Sequence, residues 1–290
     1  MQWTTSRFAI DLRTPKIMGI VNVTPDSFSD GGQYGATSAA VRHCEKLIQD
    51  GADILDIGGE STRPGATPLS VDDELHRLLP VLREAVKFGV PVSIDTYKPQ
   101  VMQVALDEGV DIINDVWALR WRPSNQKTAT LRGPDVVAAH PACGICLMHM
   151  HREPLSMQVT PMEGDVPSQV TIFLQHAAVA LQALGVVKSR IVVDPGIGFG
   201  KTVAQNFELL ARQREVLTCG YPLVAGWSRK SSLVALLGDL PVNDNTAQAH
   251  PRMVASVAAA LLAVERGASV VRVHDVRETA QALKVLQAIH

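Results

Sequence analysis

GADILDIGGES at 51–61, GVPVSIDTYK at 89–98 and GVDIINDV at 109–116 are built alike: a glycine, a short apolar run, then polar residues. Glycine just past a helix adopts the left-handed conformation at little steric cost, and the chain then enters a strand. The pattern returns in GICLMHM from Gly144, GVVKSRIVVDPG from Gly185, GYPLVAGWSRK from Gly220 and GASVVRVHDV from Gly267. The runs are β-branched and nearly continuous in apolar character, as expected of parallel strands buried on both faces. IMGIVNVT near the front makes eight strands, expected to end at Asn22, Asp56, Asp95, Asn114, Met148, Asp194, Gly226 and Arg272. Helical patterns fill 38–50, 71–88, 100–108, 169–184, 203–217 and 251–266, with 277–289 closing the chain. The interval after Asn114 has the weakest helical signal. Its polar, Pro-bearing WRPSNQKTATLRGPD, residues 121–135, reads as an extended loop.

Eight such units close most naturally as an α/β fold of the (β/α)8 TIM-barrel type. Periodicity alone does not show closure, so a doubly wound open sheet is the alternative. Residues 1–16 alternate in polarity and read as a short N-terminal strand or hairpin outside the repeat. The whole chain, 1–290, is expected to be one domain.

Composition narrows the function. At 46% apolar over 290 residues the chain can fill a large core. Lys plus Arg is 27 against 29 Asp plus Glu, a net charge of −2 that excludes the positive field of a dedicated nucleic-acid binder. Aromatics at 4% also argue against base stacking. The uncharged stretch 254–264 is far short of the roughly 20 residues a membrane span needs. Cys44, Cys143, Cys146 and Cys219 are too sparse for a disulfide scaffold, and no apolar leader is visible. A cytoplasmic setting, with neither nucleic acid nor membrane as partner, is expected.

In a parallel barrel the loops after the strands form one face, and that face carries the site. Here the strand ends bring Asn22, Asp56, Asp95, Asn114, His149, Asp194, Arg229, Lys230, Arg272 and His274 to one mouth. DPGIGFGKT at 194–202 is not a Walker A loop, because Pro195 stands where a glycine is required. It also fails the dinucleotide pattern, since Gly200 arrives one residue early. What remains is a carboxylate, Asp194, on a glycine-rich loop with Phe199 able to lie against a flat ligand. His140, Cys143, Cys146 and His149 recur every three residues, but strand alternation keeps four donors from one side. Buried cysteine as a small hydrophobe explains them better than zinc. Arg272 and His274, two apart on a strand, point the same way.

Several segments together carry a family likeness: NVTPDSFSDGG at 22–32, GGESTRPGA at 58–66, IDTYKP at 94–99 and INDV at 113–116. LMHM at 147–150, DPGIGFGKT at 194–202, SRKS at 228–231 and RVHDV at 272–276 complete it, in order from the first strand to the last. The chain closely resembles the dihydropteroate synthases. The resemblance implies a pterin-binding (β/α)8 barrel that acts as a transferase. It would join (7,8-dihydropterin-6-yl)methyl diphosphate to 4-aminobenzoate, with pyrophosphate leaving first and the amine attacking a pterin-stabilised cation.

The resemblance also implies roles. Asp95, Lys230 and Arg63 would be catalytic, and Asp95, Asn114, Met148, Asp194, Phe199, Gly226 and Lys230 would hold the pterin. An ionised Asp194 suits the paired N–H donors of a pterin edge. Asn22, Thr62, Arg63, Arg272 and His274 would take the pyrophosphate, with Asn22 as the Mg²⁺ ligand. Phe28, Thr62, Pro64, Lys230 and Ser231 would receive the aminobenzoate. The SFSDGG and STRPGA loops are expected to be mobile until substrate orders them, and a homodimer is the family's usual state. Asp95 has a competing reading as a cap for the helix beginning near Pro99. Two departures from the family pattern stand out. Trp117 replaces a small residue, and the 121–135 loop, with Arg120, Arg122, Lys127 and Arg132 in or beside it, is long.

Overall fold

The glycine-led runs form a single parallel sheet that meets itself. In the computed structural model, residues 1–23, 32–60, 67–122, 131–153, 157, 159–238 and 252–289 are described. Strands β1 (Gln2–Thr4) and β2 (Ala9–Asp11) make an antiparallel hairpin ahead of the repeat. The repeat supplies β3 (Lys16–Asn22), β4 (Ile54–Gly58), β5 (Val92–Asp95) and β6 (Ile112–Asp115). It continues with β7 (Gly144–Met148), β8 (Ile191–Asp194), β9 (Val224–Ala225) and β10 (Val270–Val273). Their order is β8-β7-β6-β5-β4-β3-β10-β9. Val193 of β8 donates its N–H to Pro222 O at 2.9 Å and bridges Leu223 in parallel, joining the two edges. The sheet is therefore a barrel, and the open-sheet alternative falls.

Between the strands lie α1 (Gly32–Asp50), α2 (Val71–Ala85), α3 (Pro99–Asp107), α4 (Gly133–Ala139) and α5 (Val166–Ala183). Then come α6 (Val203–Ala211), α7 (Gln213–Val216), α8 (Ser231–Leu237), α9 (Met253–Glu265) and α10 (Val276–Gln287). Local chemistry starts several of them. Ser70 accepts the Asp73 N–H at 3.0 Å, Thr202 and Gln205 form a reciprocal capping box, and α3 opens on Pro99. Three expectations need correction. The interval after β6 does contain a helix, α4, begun by Gly133 and Pro134 at the end of the stretch read as loop. The pattern 203–217 is broken at Arg212, whose φ of −101° and ψ of 21° leave the helical range. A further short helix, α8, follows β9 and was not anticipated.

Residues two apart on a strand share a face, and this alternation stacks the barrel interior in layers. The floor is apolar: Met18, Ile54, Ile112, Cys146, Val192, Val224 and Val270, closed from below by Trp3, Ile10 and Leu12. The hairpin is thus a plug, pinned by Trp3 Nε1 donating to Arg190 O at 2.9 Å. One step further along the same faces come Asp56, Ser93, Asn114, Asp194 and Arg272. The intervening residues, such as Leu55, Ile57, Ile94, Ile113, Ile145 and Leu147, pack outward against the helices. No helix among the described residues is long and apolar enough to cross a membrane.

Candidate active site

Above the apolar floor the barrel holds a layer of charge. Asp56 is fully buried and is its hub: it accepts from Ser93 Oγ at 2.6 Å, Asn114 Nδ2 at 3.1 Å and Arg272 Nε at 2.6 Å. Arg272 spans to a second carboxylate, with Nη2 donating to Asp95 Oδ2 at 2.7 Å. The register produces this grouping, since Gly58 lies opposite Asp95 and Asp95 opposite Asn114. Asp95 Oδ1 is buried with no hydrogen-bond partner among the described residues. Burial pushes the Asp95 carboxyl up to about 7; Arg272 opposes that rise and Asp56 adds to it. For Arg272 burial disfavours the charge, but Asp56 and Asp95 outweigh it and hold the guanidinium protonated.

Asp194 ends β8 on the opposite wall. Its carboxyl is raised by burial, against the Gly196 N–H, which donates to Oδ1 at 2.7 Å, and the charges of Lys230 and Arg272. The loop it opens turns through Gly196, Gly198 and Gly200, with φ of 69°, 85° and 72°. At Gly196 a Cβ would lie 1.9 Å from His149 O, so only glycine fits. Lys201, almost fully buried, locks the loop by donating to Gly196 O at 2.9 Å and Phe199 O at 3.1 Å. Its third contact is His149 Nδ1 at 3.0 Å. Burial lowers His149 to about 2 and Lys201 to about 7, so the imidazole is neutral and accepts.

Over the charged layer lies a second apolar cluster: Val116, Met148, Met150, Met157 and Phe199, with Tyr97 and Trp117 beside it. Lys230 Nζ sits 4.4 Å from the centre of the Phe199 ring. Burial lowers its ammonium to about 8, against the pull of Asp194. His274, two residues beyond Arg272, has Nδ1 3.0 Å from Ser228 Oγ. The result is a slot with carboxylates and an amide on its floor and wall, an ammonium at one side and an apolar roof. Such a slot suits a flat ligand rich in N–H donors.

The pterin binding enzyme family model matches residues 18–274. A dihydropteroate synthase of Neisseria meningitidis serogroup C is 47% identical over 290 residues, covering 99% of this chain and 97% of the relative. The chain belongs to the dihydropteroate synthase family. The enzyme of Burkholderia cenocepacia, solved with 7,8-dihydropteroate, superposes with a TM-score of 0.84 at 44% identity, over 99% of this chain and 96% of that one. The Xanthomonas albilineans enzyme, solved with 4-aminobenzoic acid, gives 0.84 and 44% over 97% and 95%.

Against this family background, the sequence-derived residues divide clearly. Asp95, Asn114, Met148, Asp194, Phe199, Lys230 and Arg272 converge on the slot. Gly226 also faces it, and a Cβ there would stand 3.6 Å from Asp194 Oδ2. Asn22 is exposed at the end of β3, and Ser231 is exposed as the first residue of α8. Phe28, Thr62, Arg63 and Pro64, with both mobile-loop expectations, lie outside the described residues. Asp95 does not cap α3, whose N-cap is Lys98 with no side-chain cap bond. The four donors of 140–149 are dispersed: Cys146 faces the barrel floor, Cys143 meets Arg190, and His140 binds back to Val136 O. Sequence reading assigned no role to Asp56, although a carboxylate inside the apolar run ILDIG was the available signal. In sequence Lys201 stands only as the lysine of a broken phosphate motif; its part in the loop rests on contacts with Gly196, Phe199 and His149.

Proposed function

We propose that this chain condenses (7,8-dihydropterin-6-yl)methyl diphosphate with 4-aminobenzoate, yielding 7,8-dihydropteroate and pyrophosphate. One observation supports the reading above all: a buried carboxylate oxygen of Asp95 without a partner among the described residues, in a slot already furnished with Asp194, Asn114 and Lys230. An unmet buried acceptor costs free energy unless a ligand donor meets it. Asp194 and Asn114 take the donor edge of the pterin, Lys230 donates to its carbonyl side, and Met148 and Phe199 cover its faces. Asp95 accepts from the remaining ring N–H and stabilises positive charge as the C–O bond to the diphosphate breaks. The amine of 4-aminobenzoate then attacks the methylene carbon and loses its proton.

Arg272 and His274 stand on the side where the diphosphate departs, with Asn22 at the neighbouring strand end and Thr62 and Arg63 assigned there by resemblance. The donor chemistry fits Mg²⁺. Mg²⁺ typically takes one or two protein ligands plus phosphate oxygens and waters, and Asn22 offers one exposed amide oxygen at a strand end. Asn22 Oδ1 would be that ligand, and the ion would neutralise charge on the leaving group. Phe28, Pro64 and Ser231 are proposed for the aminobenzoate. Exposed apolar residues on α8 and α9, Leu236, Val254 and Leu262, support a homodimer, which light scattering would test. A cytoplasmic setting is proposed with it.

The deciding experiment is a coupled assay for pyrophosphate release with both substrates and Mg²⁺. Turnover that requires both substrates is expected. A folded protein that binds pterin but releases no pyrophosphate would be a binding homologue, and the proposal would fail.

A further inference from the structure

The segments that carry Lys230 and His274 are fastened to each other, and the fastening lies outside the substrate slot. Arg229, just before Lys230, has φ of 59°, a left-handed conformation that a side-chain-bearing residue adopts only when its surroundings enforce it. Three partners hold it. Its guanidinium donates to both carboxylate oxygens of Asp275, Nη2 to Oδ1 at 2.6 Å and Nε to Oδ2 at 3.3 Å. Its backbone N–H donates to Ser256 Oγ at 2.9 Å, and its carbonyl accepts from Arg252 Nη1 at 3.2 Å. The residue before it, Ser228, accepts from the His274 N–H at 3.1 Å. Two consecutive residues after β9 are thus bonded to two consecutive residues after β10, with α9 behind them.

We propose that Arg229 and Asp275 form a clasp that positions Lys230 in the pterin slot. The inference rests on the activity proposed above and adds two positioning residues to it. The twist at Arg229 sends the chain from β9 into α8, whose N-cap is Lys230 itself. It thereby aims the Lys230 stem past Gly198 toward the Phe199 ring. The bidentate geometry is one that arginine achieves and lysine does not. Lys230 faces Asp194 of β8, Asp95 of β5 and Arg272 of β10, while Arg229 faces Asp275, Arg252 and His43 of α1. Each stands on its own element, so severing the clasp moves Lys230 without removing any group of the slot.

Arg229→Gly is the informative variant, because glycine keeps the left-handed φ without strain and removes only the guanidinium. Asp275→Asn removes the charge from the other side, and Arg229→Lys retains a single charged bond. Two readouts apply: the NMR titration of the Lys230 ammonium, and the KM for the pterin diphosphate. In Arg229→Gly and Asp275→Asn the Lys230 titration should move from about 8 toward the ordinary lysine value. Their KM should rise about tenfold, as for loss of one oriented hydrogen bond, with Arg229→Lys between. Thermal stability of Arg229→Gly should fall, because Asp275 loses its charge partner and relief of the left-handed backbone offsets only part of that. Unmoved titration and native KM in both variants would overturn the clasp. A lowered melting temperature with unmoved titration would make Arg229 a fold residue only, which also overturns it. If the native chain shows no turnover, the activity reading fails separately, and the Lys230 titration still decides the clasp.

Discussion

Replacing Arg272 with methionine tests the charged layer most directly. Arg272 makes the only guanidinium contacts of Asp56 and Asp95 among the described residues, at 2.6 and 2.7 Å. Asp56 would keep Ser93 and Asn114, but Asp95 would lose its one side-chain partner. Each charge-assisted bond contributes about 1.5–3 kcal/mol, and removing one member of a buried ion pair costs about 3–5 kcal/mol. The expected destabilisation at pH 8 is about 3–5 kcal/mol.

The pH dependence gives this prediction its sign. In the native chain Asp95 titrates at about 7, held down by Arg272 against burial. Without Arg272 it rises further above its unfolded value. A carboxyl whose folded pKa is raised binds more protons folded than unfolded, so stability falls as pH rises up to that pKa. Above pH 7 the native Asp95 is ionised while the variant's is still protonated. There the deficit should widen by up to about 1.4 kcal/mol per pH unit. Urea unfolding of both proteins at pH 6, 7 and 8 measures it, and adding Asp95→Asn to Arg272→Met should abolish the pH-dependent part of the loss, leaving the part due to Asp56. A deficit under about 1 kcal/mol, or one independent of pH, would refute the reasoning. Arg272 also orients Asp95, so binding of a pterin alcohol without diphosphate should weaken too, and the effect should not be confined to pyrophosphate.

Other predictions bear on neighbouring parts of the slot. Asp194→Asn should fold yet weaken pterin binding by about 2–5 kcal/mol, because an amide N–H would confront the ligand's N–H; calorimetry giving native affinity would remove Asp194 from the site. Gly196→Ala should destabilise by about 3 kcal/mol or more, given its φ of 69° and a Cβ 1.9 Å from His149 O; an unchanged melting curve would refute the fit. Activity should decline as pH passes about 8, where the lowered Lys230 ammonium loses its proton. Lys230→Arg should carry that alkaline limb beyond pH 10, and an identical limb in the variant would assign it elsewhere.

The barrel was legible because its strands are buried on both faces and seven of the eight follow a glycine, so composition and punctuation agreed. Strand ends at Asp95, Met148 and Asp194 match the sequence reading, while β4 runs two residues past Asp56 to Gly58. Short helices were less readable. A seven-residue helix such as α8 spans about two turns, too few for an apolar period to register. The slot residues were legible as a set because parallel topology gathers all strand ends at one mouth. Their partners were not. Whether Arg272 meets Asp56, Asp95 or a phosphate depends on register and stagger across strands far apart in sequence, which no local pattern encodes. The same holds for Arg229 and Asp275, joined by two loops and not by spacing.

The layering explains how one barrel tolerates so many buried charges. Asp56, Asp95 and Asp194 meet Arg272 and Lys230 in a single plane between an apolar floor and an apolar roof. With all five ionised the plane has one negative charge in excess. Met18, Ile54 and the Trp3 plug exclude water that would screen it from below, and Met148 and Phe199 line the upper side of the slot. In that gap burial raises both Asp95 and Asp194, with Asp56 adding to the rise at Asp95, so holding both ionised is unfavourable for the protein alone. A ligand that supplies N–H donors and develops positive charge relieves the excess. Its relief is larger in the transition state than in the ground state, because the positive charge grows as the diphosphate leaves. The plane is therefore least comfortable without substrate and best matched when the C–O bond is breaking, which is the condition for lowering a barrier and not merely for binding.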